Sequence, residues 1–123
     1  MQNKRKIAII EDELAIRDLY AFKFKLEGFE VYSASNGEEG LKVIEKEKPE
    51  LILLDLKMPV MSGEEMLEKL RTYDWAKEIK VVVLTNISKD EAPTQLRFLN
   101  IDRYAVKAHH TPQQIVDMVN EIL

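Results

Sequence analysis

Three runs of four apolar residues, Ile7-Ala8-Ile9-Ile10, Leu51-Ile52-Leu53-Leu54 and Val81-Val82-Val83-Leu84, each stop at a reactive polar group: Glu11-Asp12, Asp55 and Thr85. A short run without polar alternation is a strand buried on both faces, which a parallel sheet covered by helices requires. The groups that end such strands gather at one edge of the sheet. A fourth run, Tyr104-Ala105-Val106, ends in Lys107, so that edge is expected to hold three carboxylates, a hydroxyl and an ammonium. A cluster of that composition needs a cation and an anion to be stable.

The segments between the strands read as helices. Ala15, Leu19, Phe22 and Leu26 recur at helical spacing and predict the buried face of a first helix that ends at Gly28. Glu30 to Ala34 alternates and reads as a second strand near the sheet edge. Asn36, with Glu39 three residues on, caps a second helix with Leu41 and Ile44 inward and Pro49 as its stop. Ser62-Gly63-Glu64-Glu65 opens a third helix with Met66, Leu67 and Leu70 inward. Pro93 confines a fourth helix to a start near Asp90, since proline fits only the first turn. Thr111-Pro112-Gln113-Gln114 starts a fifth, with Ile115, Val119 and Ile122 inward. Strict alternation over residues 1–123 implies one α/β domain, doubly wound, with a parallel sheet and right-handed crossovers.

Composition removes several function classes. No apolar run exceeds four residues, so a membrane span is not expected, and the polar start Met1 to Lys6 is too short for a signal peptide. With no cysteine there is neither a disulfide nor a thiolate metal site, and a cytoplasmic address is expected. The net charge of −4 disfavours direct nucleic-acid binding, and Lys4-Arg5-Lys6 reads as a solvated strand entry. The four glycines form no phosphate-loop pattern, which removes a nucleotide site of that kind.

In doubly wound sheets, ligands bind beyond the carboxyl ends of the strands where the winding reverses, here the ends that carry Glu11, Asp12 and Asp55. Three neighbouring carboxylates raise one another's pKa unless a cation offsets them. Oxygen-only ligands favour Mg²⁺, commonly held by one or two carboxylates and a phosphate. With Lys107 on the other flank and Thr85 as a hydrogen-bond donor, the edge is suited to receive a phosphoryl group. Taken alone, Glu11-Asp12 also reads as a helix cap, and Tyr104 as an ordinary strand aromatic.

Glu11-Asp12, Asp55-Leu56-Lys57-Met58-Pro59, Gly63, Thr85, Tyr104 and Lys107, in this order and spacing, resemble the receiver domain of two-component response regulators over essentially the whole chain. The resemblance implies a flavodoxin-like five-stranded sheet in the order 2-1-3-4-5 with helices on both faces. It implies that Asp55 is the phosphoacceptor and that a histidine kinase or phosphotransfer protein is the donor. Asp12, Asp55 and the backbone carbonyl of Lys57 would bind Mg²⁺, with Glu11 acting through a water. Thr85 and Lys107 would hold the phosphoryl oxygens, and Tyr104 would be the aromatic switch that follows Thr85. Such a protein is no enzyme beyond its own phosphorylation and dephosphorylation. Its helix 4, strand 5 and helix 5 surface would change for a downstream protein partner. No output domain is expected after the fifth helix. That helix carries no Lys or Arg, so a monomer is expected before phosphorylation.

Two residues depart from the family pattern, and a third bears on the rate at the site. Ala108 stands where a cis-proline usually follows the lysine; a cis bond before alanine costs about 2.5–4 kcal/mol, so the loop is either trans and reshaped or strained. Asn86 replaces a small residue over the phosphoryl pocket, where it narrows access or adds a hydrogen bond. Lys57 is long enough to hang over the site and slow loss of the phosphate. Asn86 and Ala108 also support a second reading, a receiver-like protein-interaction module that phosphorylation no longer regulates. An aspartate-nucleophile phosphatase would need an acid/base Asp where Lys57 stands. Adjacent His109 and His110 read as exposed loop residues, and Trp75 as a packing residue.

Overall fold

Five parallel strands pair in the order β2-β1-β3-β4-β5 in the computed structural model, which describes residues 4–123. Part of the stretch Met1 to Lys6 therefore lies outside the described residues. The strands are β1 (Lys6–Ile10), β2 (Glu30–Ala34), β3 (Leu51–Leu54), β4 (Lys80–Thr85) and β5 (Arg103–Val106). The α-helices are α1 (Leu14–Leu26), α2 (Gly37–Glu47), α3 (Gly63–Leu70) and α4 (Pro112–Ile122), the last being the fifth helix expected from sequence. Ile10 lies opposite Leu54, and the Asp55 N–H donates to the Ile10 carbonyl at 3.0 Å, so the register sets Glu11 beside Asp55.

Successive strand side chains point to opposite faces, and each face has its own core. Ile10, Ile52, Leu54, Val81 and Val83 pack with Ile44 of α2 and Met66, Leu67 and Leu70 of α3. Ile7, Ile9, Leu51, Leu53, Val82 and Leu84 pack with Tyr20 and Phe24 of α1 and Ile115, Val116 and Val119 of α4. Each such side chain contributes about 1.5–3 kcal/mol by leaving water, so strands buried on both faces anchor the edge that carries the polar groups.

Three helix starts follow the sequence reading. Asn36 Oδ1 accepts the Glu39 N–H at 2.9 Å, and Ser62 Oγ accepts the Glu65 N–H at 3.3 Å. Thr111 and Gln114 form a reciprocal capping box with Pro112 in the first turn.

Helix α1 departs from it. Leu19, Phe22 and Leu26 are 42%, 62% and 70% exposed, while Tyr20 and Phe24 are buried and Ile16 partly so. The helix carries two apolar stripes at helical spacing, and periodicity alone does not choose between them. The aromatic stripe wins because the Phe24 ring meets Phe29, beyond the turn, edge-on at 5.7 Å. Asp12 does not cap this helix either. The N-cap position is Glu13 without a side-chain bond, and its N–H donates instead to Glu11 Oε2 at 3.1 Å.

The expected fourth helix is replaced by two short 3₁₀ turns, Lys89–Glu91 and Thr94–Phe98. Ala92, before Pro93, is extended at φ −62° and ψ 146°, the conformation a following proline favours, and this breaks the helix at its first turn. Side chains hold the crossover in place of helical hydrogen bonds. Arg71 donates to the carbonyls of Leu99 at 2.9 Å, Asn100 at 3.0 Å and Ala76 at 2.8 Å. The Tyr104 hydroxyl donates to the Ile87 carbonyl at 2.7 Å. Trp75, expected as a packing residue, packs at the surface, stacked on Tyr73 and covered by the Lys48 ammonium at 4.6 Å. Among the described residues no helix is long and apolar enough to cross a membrane.

Candidate functional site

Carboxylate oxygens of Glu11, Asp12 and Asp55 lie within 4.8 Å of one another beyond the ends of β1 and β3. Glu11 and Asp55 are buried and Asp12 is exposed, so the cluster opens to solvent on the Asp12 side. Lys107, just after β5, reaches across β4 to place Nζ 2.6 Å from Glu11 Oε1 and 3.2 Å from Asp55 Oδ2. The other Asp55 oxygen accepts the Leu56 N–H at 2.8 Å. Arg17 of α1 donates to the Glu11 carbonyl at 2.8 Å and fixes the turn that presents the acidic pair.

Burial raises the Glu11 pKa to about 7, against the opposing hydrogen bonds from Lys107 and the Glu13 N–H. For Lys107, burial works against the charged form, but its bonds to Glu11 and the charge of Asp55 outweigh it, and its pKa stands above the ordinary lysine value. Among the described residues, Asp12 pairs with no Lys or Arg. The site thus offers an all-oxygen donor set whose charge one ammonium does not cover, which suits a hard divalent cation.

Thr85, at the end of β4, is buried, and Val106 lies opposite it in β5, so hydroxyl and ammonium stand on adjacent strand ends. Its Oγ1 accepts the Ile87 N–H at 3.4 Å. Asp12, Asp55, Lys57, Thr85, Asn86 and Lys107 line one cavity of about 260 Å³. The sequence-predicted groups are thus brought together, with Lys57 and Asn86 on its exposed rim. Tyr104 is half-buried one strand away, and its pKa is raised by burial and by the negative charges of Asp55 and Glu64. The described residues contain no cis peptide, so Lys107-Ala108 is trans, and Lys107–His109 form a 3₁₀ turn. The reshaped loop is therefore the alternative realised. Ala108 and His109 face solvent, and His110 is half-buried.

The β3–α3 loop is shaped by two unusual backbones. A Cβ at Gly63 would lie 2.2 Å from the Asp55 carbonyl oxygen, so only glycine lets α3 start against the strand end. Val60 holds φ at 67°, and the Met61 N–H donates across it to the Pro59 carbonyl at 2.7 Å, a strained three-residue turn. Sequence reading missed Arg17, Arg71 and the Ile87 carbonyl. An arginine on a helix carries no signal that its target is a distant backbone oxygen.

The family model described as "Response regulator receiver domain" matches residues 7–120. Sporulation initiation phosphotransferase F of Bacillus subtilis (strain 168) is 39% identical over 80 residues, which cover 65% of this chain and 63% of that one. The chain spans about half the length of other curated relatives it matches, 48% of each of two transcriptional regulators. The chemotaxis protein CheY4 of Vibrio cholerae superposes with a TM-score of 0.90 over 98% of this chain and 100% of that one; at 24% identity it speaks for the fold alone. The response regulator TrrA of Thermotoga maritima, solved in complex with Mg²⁺-BeF, is 30% identical with a TM-score of 0.83, covering 97% and 99% of the two chains.

Proposed function

The chain belongs to the response regulator receiver family, and from that premise we propose that it is a phosphorylation-controlled signalling switch with Asp55 as phosphoacceptor. One observation carries the reading: Asp55, 6% exposed at its strand end, shares a carboxylate cluster with Glu11 and Asp12 and meets the ammonium of Lys107.

A carboxylate oxygen of Asp55 attacks the phosphorus of a phosphohistidine on a histidine kinase or phosphotransfer protein. The P–O bond forms as the P–N bond breaks, and the leaving imidazole takes up a proton. Asp12, Asp55 and the Lys57 carbonyl would hold Mg²⁺, with Glu11 acting through a water, and the bound ion would supply neutralisation of charge on the transferring oxygens. Lys107 exchanges its bond to Asp55 Oδ2 for a phosphoryl oxygen, and the Thr85 hydroxyl donates to another. The Thr85 shift carries Ile87, whose carbonyl accepts from Tyr104, so the aromatic ring responds to the phosphoryl group.

The donor docks on the exposed stripe of α1. Leu14, Leu19, Phe22 and Leu26 form an apolar face that starts two residues after Asp12, beside the mouth of the site. Residues 1–123 form one receiver unit, monomeric before phosphorylation and cytoplasmic. It is not an enzyme beyond its own phosphorylation and dephosphorylation, and its output is a protein partner rather than nucleic acid.

Labelling with a small phosphodonor and Mg²⁺ tests the reading. A product in the wild type that vanishes in Asp55→Asn supports it. No Asp55-dependent product would assign the chain to the receiver-like interaction modules instead.

A further inference from the structure

The two 3₁₀ turns that replace a helix leave a groove of about 620 Å³ between the crossover and β5, within the usual ~300–1,000 Å³ of ligand sites. Leu96, Ile101 and Tyr104 supply its apolar lining, and Lys89, Arg97 and Arg103 its cations. Among the described residues, none of the three cations forms an ion pair. Of the two acids in the lining, Asp102 is held by the Val81 N–H at 2.8 Å, and with Asp90 it leaves the groove one positive charge in excess. This basic groove sits on a chain of net charge −4.

Among the described residues, β5 is the edge strand of the sheet and pairs only with β4. Its outer side presents backbone groups that an extended chain can bond, and strand addition of this kind needs an open edge with side-chain pockets beside it. The groove lies along the first half of that edge, at Arg103 and Tyr104.

We infer that the groove beside β5 docks an extended peptide segment of a partner protein by strand addition, and that this segment alternates acidic with apolar residues. Its backbone pairs with the outer side of β5, its apolar side chains enter between Leu96 and Tyr104, and its carboxylates meet Arg97 and Arg103. This gives the downstream partner of the switch its chemistry, and it rests on the proposed function for its regulation. Tyr104 lines the groove and bonds the Ile87 carbonyl, so the phosphorylation site and the docking edge share a residue.

Selection from a phage-displayed library of random dodecapeptides tests the inference, run on the intact chain phosphorylated by a small phosphodonor and, separately, on Asp55→Asn. The expected winners alternate Asp or Glu with apolar residues on at least one of the two forms. Their affinity by fluorescence polarisation falls at least tenfold on an Arg97→Glu, Arg103→Glu double variant, and N-methylation of alternate peptide amides abolishes it. No enrichment, basic winners, apolar spacing of three and four, or equal binding to the charge-reversed variant overturns the inference. A stable dimer in light scattering that occludes the groove overturns it too. A wild type that takes no label at Asp55 refutes the switch alone, and the selection on Asp55→Asn still decides the groove.

Discussion

The Lys107 ammonium lies 2.6 Å from Glu11 and 3.2 Å from Asp55, so a single half-buried cation ties together carboxylates that end different strands. Removing it leaves buried negative charge without a partner, which costs about 3 kcal/mol. Lys107→Ala is therefore expected to unfold at lower urea than the wild type at pH 7.5. Mg²⁺ should restore more stability to the variant than it adds to the wild type, because the ion takes the place of the lost ammonium. Urea midpoints with and without Mg²⁺ check both statements.

Glu11 sets a pH dependence. Its folded-state pKa of about 7 lies above the ordinary 4.5, so between those values the folded chain holds a proton that the unfolded chain has lost. Its stabilising contribution is full below 4.5 and fades as pH rises through 7. The change is on the order of 3 kcal/mol, at about 1.4 kcal/mol per pH unit. Metal-free wild type should lose stability from pH 5 to pH 7.5, and Glu11→Gln should flatten that slope. Calorimetry in two buffers of different ionisation heat should show proton release on Mg²⁺ binding at pH 6 and little at pH 8.

Lys57 stands exposed on the rim of the cavity that holds Asp55. A long side chain there would obstruct the water that hydrolyses an aspartyl phosphate on Asp55. Lys57→Ala is expected to shorten the phosphate half-life severalfold at constant Mg²⁺, read by loss of label over time. An unchanged or longer half-life sinks the idea.

Arg71 bonds the Leu99 and Asn100 carbonyls at one end of the crossover and the Ala76 carbonyl below it. Hydrogen bonds from a charged donor contribute about 1.5–3 kcal/mol each and do not simply add, so Arg71→Ala should lower stability by about 2–3 kcal/mol. Amide exchange should accelerate between residues 86 and 102 more than elsewhere. Arg71→Lys should not rescue it, because an ammonium lacks the planar fork that reaches three carbonyls.

Val60 keeps a β-branched side chain at φ 67° on an exposed loop, a strain of about 1–3 kcal/mol. Glycine relieves that strain and loses about 0.5–1 kcal/mol to unfolded-chain entropy. Val60→Gly is therefore expected to raise the urea midpoint, by about 1 kcal/mol in free energy.

The sheet was legible because its central strands are runs with one possible environment: Leu51-Ile52-Leu53-Leu54 has no polar face to turn outward. The cluster was legible for the same reason, since each buried strand delivers its terminal group to one edge. Where two solutions satisfied the same period, as on α1, the choice fell to a contact between Phe24 and Phe29 across a turn. The crossover failed differently. Pro93 was read as tolerable near a helix start, yet its demand for an extended Ala92 left too few residues to nucleate a helix. The chemistry of Asp55 could be read from strand ends, while the carbonyl partners of Arg17 and Arg71 exist only once the chain has folded.

The crossover between β4 and β5 has a kinetic meaning. Helices α1, α2 and α3 each follow a strand and propagate from local hydrogen bonds, but β5 and α4 are joined to the rest by a segment with little structure to form in advance. Amide exchange in β5 and α4, compared with β1 to β4, reads whether these two elements open as a unit of their own. Lys107 lies between them, so any such opening would carry the ammonium away from Glu11 and Asp55.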